Sequence, residues 1–199
     1  MRIWIKCTFV LLAIAAVFAL HAGAQDTKTP DTPPRSELAV GYTYVRSNAP
    51  PGGCTCINLN GGNATFAWPV RTGRFALVGD FTIAHAGSIS SSAYALTMST
   101  FTAGVRYLPP VHHRPVQPFG QILAGLAHSS GTLVEGSNPG AVNASAAFAA
   151  NIGGGLDLKA NRRFAIRLFE ADYLVTTFDN GSNNHQNNLR IGAGVVMRF

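Results

Sequence analysis

The sequence is poor in charge and in lysine, and beyond its first 25 residues it has no long apolar run. Charged residues make up 12% of the chain, and three lysines stand against twelve arginines. So little lysine, with abundant glycine, alanine and small polar residues, argues against a helical protein. No basic cluster alternates with aromatic residues, so we expect no nucleic-acid partner. Without an apolar run of about 20 residues after its first 25 residues, such a chain can cross a membrane only as a closed β-barrel.

The first 24 residues have the three parts of a secretory signal peptide. Arg2 and Lys6 form a positive start, and Thr8 to Leu20 is an apolar segment. Ala22-Gly23-Ala24 is a small-residue cleavage site. We therefore expect export with cleavage after Ala24, which leaves 13 basic and 9 acidic residues in a mature chain of one domain.

The last residues of the chain alternate strictly between apolar and polar or small. One face carries an unbroken apolar row, and the other carries two arginines and two glycines. This alternation over about ten residues is typical of a strand with one face in lipid and the other in a polar interior. A soluble protein would rarely expose such a flat apolar edge, because it invites aggregation. The apolar row consists of Leu189, Ile191, Ala193, Val195, Met197 and Phe199.

Seven earlier segments alternate in the same way, separated by turn-rich segments. Residues 25–36 are polar and proline-rich and predict a flexible periplasmic lead-in, so the barrel domain is expected at 37–199. Eight segments predict an all-β, eight-stranded antiparallel up-and-down transmembrane barrel with both ends in the periplasm. The predicted strands are Glu37–Arg46, Asn63–Val70, Phe75–Ala84, Ala95–Tyr107, Pro118–His128, Ala146–Leu158, Phe164–Thr177 and Asn188–Phe199.

The seventh segment breaks the alternation once. Arg167 is out of phase with Glu170 and Asp172, so a regular strand would push one charge sign into lipid. A charge there costs a few kcal/mol. We therefore predict a β-bulge near Phe169 that turns all three charges inward.

The predicted connections alternate between stiff or basic turns and longer polar loops, as in outer-membrane barrels. The turns are 71–74, 108–117 and 159–163, and the loops are 47–62, 85–94, 129–145 and 178–187. Aromatic residues near the strand ends predict girdles at the two membrane interfaces. These residues are Tyr42, Tyr44, Trp68, Tyr107, Phe119, Tyr173 and Phe178.

Together, the signal peptide, the eight alternating segments and the last strand ending in Phe199 resemble the small eight-stranded outer-membrane barrels of the OmpX type and the OmpA membrane domain. The resemblance implies a monomer in the outer-membrane lipid of a Gram-negative-type bacterium. It also implies that the barrel-assembly machinery recognises the last strand. That assembly signal would consist of Ile191, Ala193, Val195, Met197 and Phe199.

Charge is expected on the inner face of the barrel. Eight strands leave room only for side chains, and buried charges must pair. A structural ion-pair network is therefore the favoured interpretation, with a narrow low-conductance pore as the alternative. The predicted interior charges are Glu37, Asp80, Arg106, Asp157, Arg167, Glu170, Asp172, Arg190 and Arg198.

Some eight-stranded barrels modify lipid A with a serine and a histidine near the rim, and two histidines here have serines nearby. His85 precedes Ser88 and the serines at 90–92, and His128 precedes Ser129 and Ser130. No His-x-Ser-Asn type motif accompanies them, and serine-rich loops contain such pairs by chance. We therefore expect no catalysis, no cofactor and no metal.

Cys54 and Cys56 are the two cysteines that remain after removal of the signal peptide. They lie in the first long loop, in an oxidising compartment. A strained disulfide between them, an intermolecular bridge and a soft-metal contact all stay open.

A secreted soluble barrel that binds an apolar ligand is the other class of protein to weigh. It would need its apolar faces inside, whereas here the second faces are rich in glycine, alanine, threonine and asparagine, which suit a tight interior. The sequence predicts an outer-membrane barrel with a structural or surface-interaction role, whose long loops meet any extracellular ligand.

Overall fold

In a computed structural model the chain forms a closed barrel of eight antiparallel strands, which confirms the predicted architecture. The structure describes residues 35–47, 56–70, 73–89, 94–111, 115–131, 143–178 and 185–199, so the predicted signal peptide and most of the lead-in lie outside them. None of these residues forms a helix long and apolar enough to cross a membrane. The strands are β1 (Glu37–Ser47), β2 (Ile57–Pro69), β3 (Phe75–Ile89), β4 (Tyr94–Tyr107), β5 (Val116–Gly131), β6 (Asn143–Lys159), β7 (Phe164–Thr176) and β8 (Gln186–Arg198).

Each strand pairs with the next along the chain, and β8 returns to pair with β1. The connections 70–74, 108–115 and 160–163, together with residues 36 and 199, lie at one end of the barrel, here called the turn end. The strand ends that border the connections 48–56, 90–93, 132–142 and 177–185 form the opposite end, the mouth end.

Two turn-end connections are tight for identifiable reasons. Gly73 lies at a φ of 66° between β2 and β3, a left-handed conformation that glycine adopts without steric cost. Between β6 and β7 the Asn161 side chain accepts hydrogen bonds from the backbone N–H groups of Arg163 and Phe164, both at 2.8 Å. This Asx-type contact replaces backbone partners and fixes the turn.

The outer face of the barrel carries an apolar band. Trp68, Leu77, Phe101, Ile122 and Leu126 are each between 60% and 65% exposed. On β8, Ile191, Val195 and Met197 are exposed while Val196 is fully buried, and Phe199 directly after the strand is exposed, so the predicted alternation of the last strand is confirmed. A continuous exposed apolar surface of this extent is not what a monomeric soluble protein presents to water.

The predicted bulge in β7 is confirmed. Arg167 pairs with Gly194 and Glu170 with Gly192, so Leu168 and Phe169 together face one residue of β8. Both of these side chains point outward and are exposed. The extra residue therefore returns Glu170 to the same inner face as Arg167.

Apolar clusters fill the interior at the two ends. At the mouth end lies the mouth cluster, which is the larger one; toward the turn end lie two smaller clusters, one around Val78 and Leu123 and one around Val196. The charged residues lie between them. The mouth cluster consists of Val45, Ile57, Leu59, Ala84, Ala86, Met98, Ala127, Ala149 and Leu174, with Leu96 and Phe178 packed against it.

Around the mouth cluster the outer face is polar. Tyr42 donates to the Asn60 side-chain oxygen at 2.5 Å, and Tyr44 donates to that of Asn58 at 2.7 Å. His85 and His128 are also exposed there. At this end, the alternation is therefore inverted, with polar residues outside and apolar residues inside.

This inversion corrects several predicted strand ends. β2 begins at Ile57 instead of Asn63, β3 runs on to Ile89, β5 to Gly131, and β6 begins at Asn143. The predictions looked for apolar residues on the outer face and so placed these segments in loops. As a result the β3–β4 connection is only 90–93, and the difference in connection length between the two ends is smaller than predicted.

Two of the predicted girdle aromatics lie elsewhere. Phe119 is 5% exposed and points into the barrel, because its odd number places it on the same face as Gln121. Phe178 packs against the mouth cluster. Nearness to a strand end is therefore a weaker guide to orientation than phase along the strand.

Candidate functional site

The strand register places the interior charges opposite one another. Asp172 on β7 faces Arg190 on β8, and Asp157 on β6 faces Arg167 on β7. In the same way Arg106 on β4 faces Gln121 on β5. Directly opposed side chains on one face of an antiparallel pair are within contact distance. The central network, as we call it, comprises Asp80, Arg106, Gln121, Asp157, Arg167, Glu170, Asp172 and Arg190.

Arg190 is the centre of this network. Its Nη1 lies 2.5 Å from Asp80 Oδ1, and its Nη2 lies 2.6 Å from Asp172 Oδ2 and 2.9 Å from Glu170 Oε1. Its Nε also donates to Asp172 Oδ2, at 2.9 Å. One guanidinium therefore joins three carboxylates that come from β3 and β7, on two sides of the barrel.

Arg167 extends the network toward the turn end. It binds Asp157 in a bidentate manner, with Nε to Oδ1 at 2.9 Å and Nη2 to Oδ2 at 3.2 Å. Its Nη1 lies 2.6 Å from Glu170 Oε2. Glu170 thus uses one oxygen for Arg167 and the other for Arg190, a contact that depends on the bulge between Arg167 and Glu170.

Gln121 connects the third arginine. Its Oε1 accepts from Arg106 Nη2 at 2.7 Å and from Nε at 3.1 Å. Its Nε2 donates to Glu170 Oε1 at 2.9 Å and to Asp172 Oδ1 at 3.3 Å. Arg106 therefore has no carboxylate partner of its own among the described residues and reaches the acids through an amide.

The Phe119 ring lies against two of the arginines. The Cζ atoms of Arg106 and Arg167 lie 4.2 and 4.5 Å from the centre of its ring. Such cation–π contacts stabilise like charges that would otherwise repel each other. Gly155 makes this possible, since a Cβ there would lie 2.8 Å from Phe119 Cζ. The sequence analysis missed this role of Phe119, although its phase along β5 indicated it.

Threonines complete the coordination of Asp80. Its Oδ2 accepts from Thr65 at 2.8 Å and its Oδ1 from Thr82 at 3.2 Å. Thr82 in turn accepts from Arg190 Nη1 at 2.6 Å. Asp80 is fully buried, and each contact offsets part of the cost of removing its charge from water.

Two of the nine predicted interior charges lie apart from the network. Glu37 and Arg198 form an ion pair of 2.7 Å between β1 and β8 at the turn end, and their side chains are 15% and 11% exposed. The other seven are at most 3% exposed. They comprise three arginines and four carboxylates, and each carboxylate accepts hydrogen bonds from buried side chains.

The donors and acceptors of the central network bind one another. Each carboxylate of the network is held by arginine, glutamine or threonine donors, and within the described ranges no group of three or more histidine, cysteine or acidic side chains is arranged to hold a metal ion. A fully connected polar network specifies one strand register, because any slip would leave buried charges unpaired.

The histidine–serine pairs do not assemble where the structure describes them. His85 Nδ1 lies 2.9 Å from Thr97 Oγ1, and residues 90–92 lie outside the described ranges. His128 is exposed on the outer face, whereas Ser129 is buried on the inner face. The Ser99 hydroxyl donates to the backbone carbonyl of His128 at 3.4 Å, and the His85 ring contacts a threonine, so neither imidazole ring is hydrogen-bonded to a serine hydroxyl of the described residues.

Of the two cysteines, only Cys56 is described. It is an exposed thiol with no disulfide partner among the described residues. Cys54 lies outside those ranges, so the pairing of the two stays a prediction.

Comparison with solved structures places this fold among the small outer-membrane barrels. Ail, the attachment invasion locus protein of Yersinia pestis, is similar with a TM-score of 0.58 at 18% sequence identity, over 84% of this chain and 100% of Ail. Ail has also been solved in complex with the heparin analogue sucrose octasulfate, where the likeness is the same within 0.01 in TM-score, at 0.57 and 19% identity over 84% of this chain and 100% of that chain. Neisserial surface protein A (NspA) gives a TM-score of 0.62 at 14% identity, over 82% of this chain and 97% of that protein.

No protein-family model matches the sequence, and no curated protein matches it. At these identities the likeness concerns the fold. The chain has the fold of the small eight-stranded outer-membrane barrels, in line with the resemblance drawn from its sequence.

Proposed function

We propose that this chain is an integral outer-membrane barrel with a structural or surface-interaction role, exported with cleavage after Ala24. The observation that carries the proposal is the apolar band around a buried ion-pair network. A soluble barrel would place its apolar residues inside and its charges outside throughout. The secreted ligand-binding alternative is therefore disfavoured.

The height of the band supports a membrane location. On β8 the outward apolar row runs from Leu189 to Phe199. Ten steps of about 3.3 Å, tilted by about 40°, rise about 25 Å, the height of the apolar band in outer-membrane barrels. The tyrosine–asparagine pairs bound the band at the mouth end, where amphipathic rings suit the interface.

The orientation follows from the connections. We assign the turn end to the periplasm, because the chain enters and leaves the barrel there. The mouth end then faces the exterior, with its four connections on strands that rise above the band. Any extracellular ligand would meet this end.

Membrane fractionation and a heat-modifiability gel test this proposal directly. We expect the mature protein in the outer-membrane fraction, with an unheated sample that migrates differently from a boiled one. A soluble periplasmic protein whose mobility does not change on boiling would refute it.

We propose that the interior has a structural role and is not a pore. The mouth cluster fills one end, and the central network fills the space behind it with paired side chains. In planar bilayers the refolded protein should give no steady conductance. Stable channels formed by the unmodified protein, which keeps Arg190, would favour the narrow-pore alternative instead.

A surface-interaction role is supported by a rigid barrel that projects above the band. In the Ail complex the ligand is a heparin analogue, which makes sulfated glycans a reasonable first probe for this chain. Cells that display the protein should be compared with cells that lack it for retention on immobilised heparin. Equal retention of the two kinds of cells would argue against binding of sulfated glycans and leave the structural role as the only one supported.

The recognition of Phe199 by the assembly machinery and the absence of catalysis belong to the same proposal. An exposed Phe199 at the end of an apolar row supports the first. The second is supported by two histidine rings, His85 and His128, that form no hydrogen bond to a serine hydroxyl of the described residues.

A further inference from the structure

A cleft at the turn end combines unpaired cations with an apolar wall. It lies where β8 ends, β7 begins and the chain enters β1, and we call it the seam cleft. Its lining consists of Arg35, Arg163, Phe164, Met197, Arg198 and Phe199. The three apolar side chains are between 42% and 63% exposed and continue directly into the apolar band.

Two of the three arginines of the cleft have no ion-pair partner among the described residues. Arg198 is neutralised by Glu37. Arg163 and Arg35 are exposed, and neither forms an ion pair with a carboxylate of the described residues. One Arg35 nitrogen donates to the Arg162 carbonyl at 2.9 Å, which holds its guanidinium beside the β6–β7 turn and leaves its other donors available.

The backbone of the cleft is fixed. The Arg198 N–H donates to the Arg163 carbonyl at 2.7 Å, and the Phe199 N–H donates to the Ser36 carbonyl at 3.0 Å. Asn161 caps the turn that carries Arg163. Two guanidiniums and one apolar wall therefore line the same cleft on a hydrogen-bonded backbone, so little backbone ordering is needed on binding.

We propose that the seam cleft binds the headgroup of an anionic glycerophospholipid, with its acyl chains along Phe164, Met197 and Phe199. Guanidinium groups bind phosphate oxygens in a bidentate, charge-assisted manner, and basic pockets at the rim of membrane proteins recognise such headgroups. The acidic side chains nearest to this end leave Arg35 and Arg163 to a ligand: Glu37 is paired with Arg198, and Asp157 is buried against Arg167. The proposal rests on the membrane location argued above.

Native mass spectrometry of the refolded mature protein tests the proposal, with dioleoyl-phosphatidylglycerol and dioleoyl-phosphatidylcholine as probes. We expect one phosphatidylglycerol to be retained in preference to phosphatidylcholine. The double variant Arg35→Gln/Arg163→Gln should lower that retention about tenfold, since two charge-assisted contacts are lost. Arg162→Gln is the matched control, because Arg162 is an exposed arginine of the same turn whose side chain does not line the cleft.

The other outcomes overturn the proposal. Equal retention of both lipids would indicate contact with the acyl chains only. Equal loss in Arg162→Gln and in the double variant would indicate a diffuse basic rim. Retention that appears only after Asp26→Asn/Asp31→Asn would make the lead-in the occupant. A heat-modifiability gel on the same samples reports membrane-barrel folding separately, so a failure of the proposed function is not mistaken for a failure of the lipid site.

Discussion

The level of the apolar band and the mouth end use the same eight strands with opposite polarity. In the band, large apolar side chains point outward and the central network lies inside. At the mouth end, Asn58, Asn60 and His128 are on the outer face while Ile57 and Leu59 are buried. The difference shows that the polarity of the outward residues depends on the medium outside the barrel, whereas the period of two depends on the strand.

The proposed membrane location accounts for this difference, because each region then removes its costly groups from the solvent in which they are least stable. Charges facing lipid cost a few kcal/mol each, so in the band they collect inside and pair. Where the strands project into water, polar groups return to the outside and the interior becomes an ordinary apolar core. The boundary between the two regions is therefore the level at which the outward residues change from apolar to polar.

Deletion of Ala171 should have the largest effect on this arrangement. It puts Glu170 and Asp172 in opposite phases, so one carboxylate must face outward and Arg190 loses a partner. We expect a loss above about 5 kcal/mol, comparable to the whole stability of a domain, and hence no folded barrel. Deletion of Leu168 is the matched control: it removes the bulge but leaves Arg167 and Glu170 in phase, so the heat-modifiable form should persist. Two deletions that behave alike would contradict the assigned phases.

Arg190→Met comes next. Three buried carboxylates lose their common partner, which should lower the free energy of unfolding by about 3–5 kcal/mol. Urea titration of the protein refolded in detergent micelles measures this. Arg198→Met breaks a pair whose side chains retain some exposure, so its cost should stay near 1 kcal/mol or less. Similar losses in both variants would show that burial does not distinguish the two ion pairs.

An aspartate placed on the outer face of β4 locates the boundary between the regions. Ala103→Asp lies in the band and should cost about 2 kcal/mol in a bilayer. Ser99→Asp lies four residues further toward the mouth on the same face, and should change stability by about 0.5 kcal/mol or less. The free energy of unfolding in lipid vesicles is the measurement. A larger penalty at Ser99 would move the boundary beyond the mouth cluster.

Deletion of Phe199 should have the smallest effect on the purified protein. The residue is 63% exposed and stacks on Phe66 at 6.4 Å between ring centres, so its removal costs at most a few kcal/mol of apolar contact. We expect near-normal refolding in detergent and poor insertion in cells. Normal insertion in cells would argue against the assembly signal, and failure in both settings would make Phe199 a structural residue.

The sequence predicted what depends on phase. Period-two alternation located eight strands, and the spacing of Arg167, Glu170 and Asp172 located the bulge, because the cost of a charge in lipid decides the face. Phe119 was predicted wrongly because its place near a strand end was preferred to its phase. Ile57 was predicted to lie in a loop because the polarity of the outer face changes there.

Pairing within the network could not be predicted, since it depends on register and on distance across the barrel. Arg190 and Asp80 are 110 residues apart and come from strands that are not neighbours. The mouth cluster was missed for a related reason, because its members come from seven strands and none stands out in its own segment.

The pairing of β1 with β8 has a consequence for the order of folding. Seven of the eight strand pairings join neighbours along the chain, whereas Glu37 and Arg198, at the junction of β1 and β8, are 161 residues apart. Joining ends that distant costs about 2.5 kcal/mol more chain entropy than closing a hairpin of about ten residues. We expect this junction to close last and open first, so that backbone amides of β1 and β8 exchange with deuterium sooner than those between β4 and β5. The barrel would then open at this one junction into a sheet of eight strands in which the other seven pairings remain.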